Sequence, residues 1–277
     1  MSESASNFNL KEQYSTAVYY PTGRQGLSAL IIQNQWKRIW IPEFYYADFI
    51  EAVAQTGIQV RLYEDYFSNN DEAVLEGLPT KPGDVLLRVN YFGLRGYRSE
   101  ADFQVPVVED HTCDMLGQWA TNSNADYCFA SLREAYPFSQ GAIVWCPKMC
   151  HLDKGDAEHT IPEDILRFDM PYWNVRKMYN WSLLNQKLKD RLHIVQPEKI
   201  YCLPFFFVIL AQDKEDAQRL RDCFKRLSIN TAPPMLLPGK AGDTVRQYNE
   251  RLVFISCDGR YSAVEMAEMA ELISIFV

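Results

Sequence analysis

The chain has 277 residues, 47% of them hydrophobic, and its 28 basic and 36 acidic side chains give a net charge of −8. A chain of this length buries a large core without disulfide bonds, so its seven cysteines are predicted to be reduced thiols in a cytoplasmic protein. The acidic balance leaves no broad basic surface, which excludes nucleic acid as a partner. The longest apolar run, residues 201–211, is too short to span a bilayer, so no membrane partner is expected.

The N-terminal residues are polar and precede a predicted helix. Residues up to about Tyr14 lack the apolar core of a secretory signal and are predicted to form a surface arm that lies on a partner subunit. Apolar residues at helical spacing follow Pro21-Thr22-Gly23, which predicts a helix that starts near Thr22. The free N–H groups at such a start suit an anion, and a capped helix that binds nothing is an equal alternative.

The next segment alternates between strand and helix patterns. Residues 39–41 and 58–62 read as strands, and residues 44–54 between them have helical spacing that ends at Gly57. This alternation predicts a parallel sheet with right-handed crossovers, and hence an α/β fold.

Aromatic and polar residues follow two of the predicted strands. Phe44-Tyr45-Tyr46 comes after the first strand, where one ring could stack on a planar ligand or, more commonly, pack in the core. Asn90 and Tyr91 follow a further strand at residues 85–89 and are candidates for polar contacts to a ligand.

The central stretch combines a buried strand with an acidic end. The strand in VVED ends at Glu109 and Asp110, a second strand covers residues 126–130, and a Ser-Leu-Arg-Glu turn ends at Glu134. Ligands of open α/β sheets bind at the carboxyl ends of strands, so both polar clusters are expected at one rim. His111 is expected to point away from Asp110, because adjacent residues of an extended segment face opposite ways.

The character of the chain changes after Lys148. A polar, turn-rich segment precedes a long predicted helix at residues 172–192, and strand and helix patterns then alternate to the end of the chain. We therefore predict a large α/β domain over residues 1–165, and a linking helix with a small C-terminal α/β domain over residues 166–277.

Several motifs in this order resemble one family. The VVED strand, the Ser-Leu-Arg-Glu turn, NYFG at residues 90–93 and RYSAVEM at residues 260–266 resemble fold type I pyridoxal-phosphate enzymes of the DegT-like sugar aminotransferase group. The resemblance runs from about Tyr19 to the C-terminus. It implies a mostly parallel sheet sandwiched by helices, with a small C-terminal α/β domain.

The resemblance also implies a cofactor site. Asp110 would face the pyridine nitrogen of pyridoxal phosphate and keep it protonated, which lets the ring act as an electron sink. Further cofactor contacts are implied for Thr22, Gly23 and Arg24 at the phosphate, and for Asn90, Tyr91 and Ser131 elsewhere in the pocket.

One position departs from the family in a decisive way. Glu134 stands where the family has the lysine that forms the Schiff base, and a carboxylate cannot supply the required amine. The paired glycines of the family become Gly141-Ala142, and a histidine after the aspartate becomes Cys113. The nearest lysines, Lys148 and Lys154, lie beyond the following strand, so standard transamination is not expected.

Three hypotheses follow from this substitution. In the first, the chain is a degenerate aminotransferase fold that acts as a binding or partner protein, as a homodimer or as a heterodimer with a homologue. In the second, it holds pyridoxamine or pyridoxal phosphate non-covalently and acts on a sugar or amino compound, with Glu134 as general base if burial raises its pKa. In the third, no cofactor binds, and Asp110, Glu134 and Tyr91 perform other acid–base chemistry.

Other motifs carry little weight. Cys146, Cys150, His151 and His159 form a loose cluster without a second thiolate pair, so no metal site is predicted. Glycine-rich nucleotide loops do not occur after any predicted strand.

Overall fold

The computed structural model describes residues 8–67, 69, 71–98, 103–148, 152 and 160–277, with residues 71–73 described by their backbone alone. Its strands are β1 Val18–Tyr20, β2 Arg38–Pro42, β3 Gln59–Tyr63, β4 Asp84–Val89, β5 Val107–Asp110, β6 Tyr127–Ser131, β7 Ala142–Trp145, β8 Phe206–Leu210, β9 Thr231–Ala232 and β10 Leu252–Ser256. Its α-helices are α1 Leu10–Gln13, α2 Gly23–Asn34, α3 Ala47–Ala54, α4 Asp71–Glu76, α5 Gln118–Thr121, α6 Leu132–Ala135, α7 Glu163–Arg167, α8 Met170–Leu188, α9 Lys214–Arg226, α10 Asp243–Arg251 and α11 Ala263–Phe276.

The larger sheet has seven strands in the order β1-β7-β6-β5-β4-β2-β3. Strands β2 to β6 pair in parallel, while β7 runs antiparallel to both β6 and β1. The connection from β6 to β7 contains only the one-turn helix α6 and a short turn, which is too short for a parallel crossover. Helices flank this mostly parallel sheet, so the predicted fold class is confirmed.

Both faces of the large sheet are covered. Val85, Leu87 and Val108 face one core with helices α2 and α3, whereas Leu86 and Val107 face a second core. Strands buried on both faces are expected to be continuously apolar rather than alternating, and this explains the runs in β4 and β5.

A smaller antiparallel sheet has the order β8-β10-β9. Helices α8, α9 and α11 cover it through a third core. Helix α10 was not predicted, because its nine residues are mostly polar and only Val245, Tyr248 and Asn249 are buried. Within the described residues, no helix is both long and apolar enough to cross a membrane.

The N-terminal segment differs from the sequence expectation. Leu10 and Tyr14 are buried, the Tyr14 ring lies 4.5 Å from the Trp145 ring, and the Tyr14 hydroxyl donates a hydrogen bond to the Met115 carbonyl. The prediction of a surface arm is therefore wrong for residues 8–14. The two apolar side chains lie one helical turn apart, so the one-turn helix α1 buries both of them.

A buried ion pair fixes the backbone that follows β4. The Arg95 guanidinium donates two hydrogen bonds to the Asp65 carboxylate, at 3.0 and 2.6 Å, and lies 4.5 Å from the centre of the Tyr91 ring. Both charged side chains are almost fully shielded from solvent. This pair therefore connects the loop after β3 to the loop after β4.

We expect Asp65→Ala to lower the free energy of unfolding by about 3–5 kcal/mol, because it leaves the Arg95 charge buried without compensation. Glu163→Ala is the matched control, since it breaks the exposed pair between Glu163 and Arg167 and should change stability by about 0–1 kcal/mol. Denaturant titration measures both values. Equal effects of the two substitutions would contradict a structural role for the buried pair.

Candidate functional site

A cavity of about 340 Å³ lies at the carboxyl ends of β4, β5 and β6 and at the start of α2. The eight residues predicted as site residues all line it, namely Thr22, Gly23, Arg24, Asn90, Tyr91, Asp110, Ser131 and Glu134. The parallel strands bring these residues together, because their carboxyl ends meet at one edge of the sheet. A volume of this size is in the ordinary range for small-molecule sites.

Asp110 ends β5 and is buried against the cavity. Its Oδ1 accepts a hydrogen bond from the Thr112 backbone N–H at 2.8 Å, and its Oδ2 accepts one from the Tyr45 hydroxyl at 2.5 Å. Burial raises the pKa of Asp110 above its ordinary value, while the hydrogen bonds from Thr112 and Tyr45 limit the rise. The carboxyl group is thus held rigidly at the base of the cavity.

Glu109 and His111 lie on the other face of the sheet, away from the cavity. Glu109 Oε2 lies 3.0 Å from His111 Nε2 and accepts a hydrogen bond from the Ser123 hydroxyl at 2.7 Å, while Oε1 accepts one from Trp119 at 3.0 Å. Burial raises the pKa of Glu109, but its contacts with His111, Arg88 and Ser123 hold that pKa below the ordinary value. This network belongs to the core.

Most of the loose cysteine and histidine cluster lies outside the described residues. Cys146 is buried just after β7, and Cys150, His151 and His159 lie outside the described residues. The six described cysteines form no disulfide.

Helix α2 begins as predicted, with Thr22 as its N-cap. The Thr22 hydroxyl accepts a hydrogen bond from the Gln25 N–H at 3.2 Å and donates one to the Gln25 side chain at 3.0 Å. The Arg24 guanidinium pairs with the Asp48 carboxylate at 2.7 Å. Thr22 accepts from the Gln25 and Gly26 N–H groups, so the N–H groups of Gly23 and Arg24 are the donors of the first turn best placed for an anion.

Asn90 follows β4 and is only 2% exposed. Among the described residues, neither its amide nitrogen nor its amide oxygen has a hydrogen-bond partner, although the residue lines the cavity. Buried side-chain amides almost always have a partner, so this pair of atoms is available to a ligand. Tyr91 beside it donates a long hydrogen bond to the Asp65 carbonyl at 3.4 Å, so its ring is held in place.

Glu134 lies on α6 at the mouth of the cavity, and its side chain is 48% exposed. Its carboxylate pairs with the adjacent Arg133 at 2.9 Å. The general-base hypothesis required burial of Glu134, and that condition is not met. Among the described residues that line the cavity there is no lysine.

Part of the lining was not identified from the sequence. Thr112 lies in the turn directly after β5, two positions beyond Asp110, so its nearness in the chain is the signal that could have identified it. Phe205, Phe206 and Met235 line the cavity from the C-terminal part of the chain, where no local pattern connects them with the polar rim. The aromatic loop contributes Tyr45 and Tyr46 to the lining, while Phe44 is fully buried in the core.

No protein-family model and no curated protein matches this sequence. Solved structures do match it over nearly the whole chain. An aminotransferase, TlmJ, from Streptoalloteichus hindustanus has a TM-score of 0.75 at 13% identity, over 96% of this chain and 87% of that one. A DegT/DnrJ/EryC1/StrS aminotransferase from Brucella abortus has a TM-score of 0.70 at 12% identity, over 96% and 88% of the two chains.

A third structure is described as GDP-4-keto-6-deoxymannose-3-dehydratase with bound GDP-perosamine. Its TM-score is 0.72 at 12% identity, over 95% of this chain and 90% of that one. At sequence identities this low, the similarity to these solved structures shows the fold alone. The chain therefore has the fold of type I aminotransferases, as the motif order predicted.

Tyr45→Phe is expected to raise the pKa of Asp110 further, because it removes a hydrogen bond that stabilises the carboxylate. A raised pKa means that the Asp110 carboxyl group keeps its proton to a higher pH in the folded state than in the unfolded chain. The free energy of unfolding then falls as pH rises from the ordinary carboxyl pKa, about 4, to the folded value, and levels off above it.

The stability loss of Tyr45→Phe should therefore be larger at pH 8 than at pH 4, by about 1 kcal/mol or more. Denaturant titrations at the two pH values measure it. Tyr66→Phe is the control, since the Tyr66 ring packs on Tyr248 away from Asp110. A loss that does not depend on pH would show that Tyr45 does not stabilise the ionised carboxylate.

Proposed function

We propose that this cavity binds a vitamin B6 phosphate, either pyridoxal or pyridoxamine phosphate, without a covalent bond to residue 134. The chain then acts as a small-molecule binding protein and not as a standard transaminase. The buried and unpartnered amide of Asn90, beside the Asp110 carboxyl, carries this proposal. An unpartnered buried amide costs stability and is retained where a ligand completes its hydrogen bonds.

The residues present fit such a ligand. Asp110 would hold the pyridine nitrogen, and the first-turn N–H groups of Gly23 and Arg24 would hold the phosphate. When bound, the ring supplies an electron sink. The cavity itself would orient the ligand. The Asp110 carboxyl group, held by the Tyr45 hydroxyl, would fix one edge of the ring, and the side chain of Tyr46 offers an aromatic surface.

The charges of the lining also bear on the proposal. Three carboxylates, those of Asp48, Asp110 and Glu134, face two guanidinium groups, and both guanidinium groups are already paired with carboxylates. Binding of a phosphate therefore depends on backbone N–H groups more than on free cationic side chains. Association with a second copy of the chain or with a homologue stays a prediction from the sequence.

Asn90→Leu tests the proposal with two readouts. The dissociation constant of pyridoxamine phosphate should rise about tenfold or more, equivalent to ~1–3 kcal/mol, because the ligand loses its amide partners. The free energy of unfolding should stay equal or increase, because the protein loses no hydrogen bond. Equilibrium dialysis and denaturant titration measure the two quantities.

Asn180→Leu is the matched control. The Asn180 amide is also buried, but it donates to the carbonyl groups of Asp258 and Tyr261 at 3.0 and 3.1 Å. Its removal should lower stability by about 1–3 kcal/mol and leave ligand affinity within a few-fold of the parent protein. If Asn90→Leu lowers stability and leaves affinity unchanged, Asn90 is a structural residue and the proposal fails.

A further inference from the structure

Helix α8 buries one lysine. The buried face of α8 repeats at intervals of three and four residues, and Lys177 occupies a central position on it, between Asn174 and Trp181. Lys177 is 1% exposed and is the single lysine among the buried residues that the structure describes. A charged side chain in the middle of a buried helix face requires a specific cause.

The surroundings of Lys177 do not satisfy its ammonium group. Within the described part of the chain, Nζ has no hydrogen-bond or ion-pair partner, and its contact is with the Phe205 ring, 5.9 Å from the ring centre. Asp114 interacts with it electrostatically, and the Oδ1 of Asp114 is itself buried without a hydrogen-bond partner. The two groups are therefore near each other without forming a close pair.

Lys177 lies beside the cavity and does not line it. Two lining residues are next to it. Nζ lies over the Phe205 ring, and its positive charge acts electrostatically on the Cys113 thiol. Burial lowers the pKa of Lys177, although Asp114 opposes the shift. A larger fraction of the side chain is then the free amine, which is the nucleophilic form. Nζ is separated from the cavity by the lining side chains and lies next to one of them, Phe205.

We propose that Lys177 is the amine that reacts with an aldehyde ligand of this cavity, in place of the lysine that the chain lacks at position 134. The inference rests on the proposed function. The Nζ electron pair attacks the carbonyl carbon, and a carbon–nitrogen double bond forms. The carbonyl oxygen leaves as water, together with the two amine protons. No oxidant or other reactant takes part.

The experiment uses the full chain with pyridoxal phosphate, followed by borohydride reduction and peptide mass spectrometry. Reduction converts the new double bond into a stable single bond. We expect the pyridoxyl mass on the Lys177 peptide at ten times or more the level on Lys187. Lys187 is the matched control, because it is exposed on the same helix and pairs with Glu271. Lys177→Met and Lys177→Arg should both abolish labelling at this position.

Two further labelling experiments test whether the ligand reaches Lys177 from the cavity. Asn90→Leu should reduce labelling of Lys177 and leave that of surface lysines unchanged, because the ligand reaches Lys177 from the cavity. Pyridoxamine phosphate has no carbonyl group and should protect Lys177 when it is added before pyridoxal phosphate. Labelling is read from the parent chain itself, so a failure of the Lys177 variants to fold does not affect the test.

The outcomes separate this inference from the proposed function. Saturable binding of pyridoxal phosphate with no label on Lys177 overturns the inference and leaves the proposed function standing. Labelling of Lys177 at the level of Lys187 also overturns it, because the reaction is then non-specific. Absence of saturable binding of either B6 phosphate overturns both.

Discussion

Strand β5 ends in two adjacent buried carboxyl groups that face opposite sides of the large sheet, and the rest of the molecule is arranged around this constraint. Glu109 faces the core, where His111, Ser123 and Trp119 surround it. Asp110 faces the cavity, where Tyr45 and the Thr112 backbone hold it. Two like charges in successive positions are compatible with folding only because each has its own set of donors on its own side of the sheet.

Glu109 on the core side and Asn90 at the cavity differ in how completely their side chains are hydrogen-bonded. The core side saturates the Glu109 carboxylate with donors, as expected for a network that stabilises the fold. At the cavity, neither polar atom of the Asn90 amide has a hydrogen-bond partner among the described residues. Each such group costs about 1–3 kcal/mol, and such costs concentrate where a protein meets a ligand.

The pocket does not depend on the residue at position 134. The pocket is a property of the sheet, because the ends of β4, β5 and β6 and the start of α2 define it. Glu134 lies at its exposed mouth and pairs with Arg133, so its charge is not buried without a partner. Under our proposal, the buried Lys177 of α8, which lies over the Phe205 ring, would provide an amine from a different element.

The sequence by itself determined the succession of strands β2 to β7 along the chain, the start of α2 near Thr22 and the predicted set of polar residues at the strand ends. These features depend on local periodicity, on capping residues and on the rule that parallel strands end at one edge. It also places a carboxylate, Glu134, in the turn after β6. The buried position of α1 and the polar helix α10 were not found, because only contacts with distant residues stabilise such short or polar segments.

Only the tertiary structure decided which of these polar groups lack a partner. The sequence has an asparagine at position 90 whether or not its amide finds a hydrogen-bond partner in the fold. The position of Glu134 in its turn likewise does not reveal that its side chain is half exposed. The place of Lys177 beside the cavity likewise depends on how α8 crosses the segment that follows β5 and the residues that precede β8. Burial and hydrogen bonding across such sequence distances are properties of the packed molecule, so a linear pattern cannot specify them.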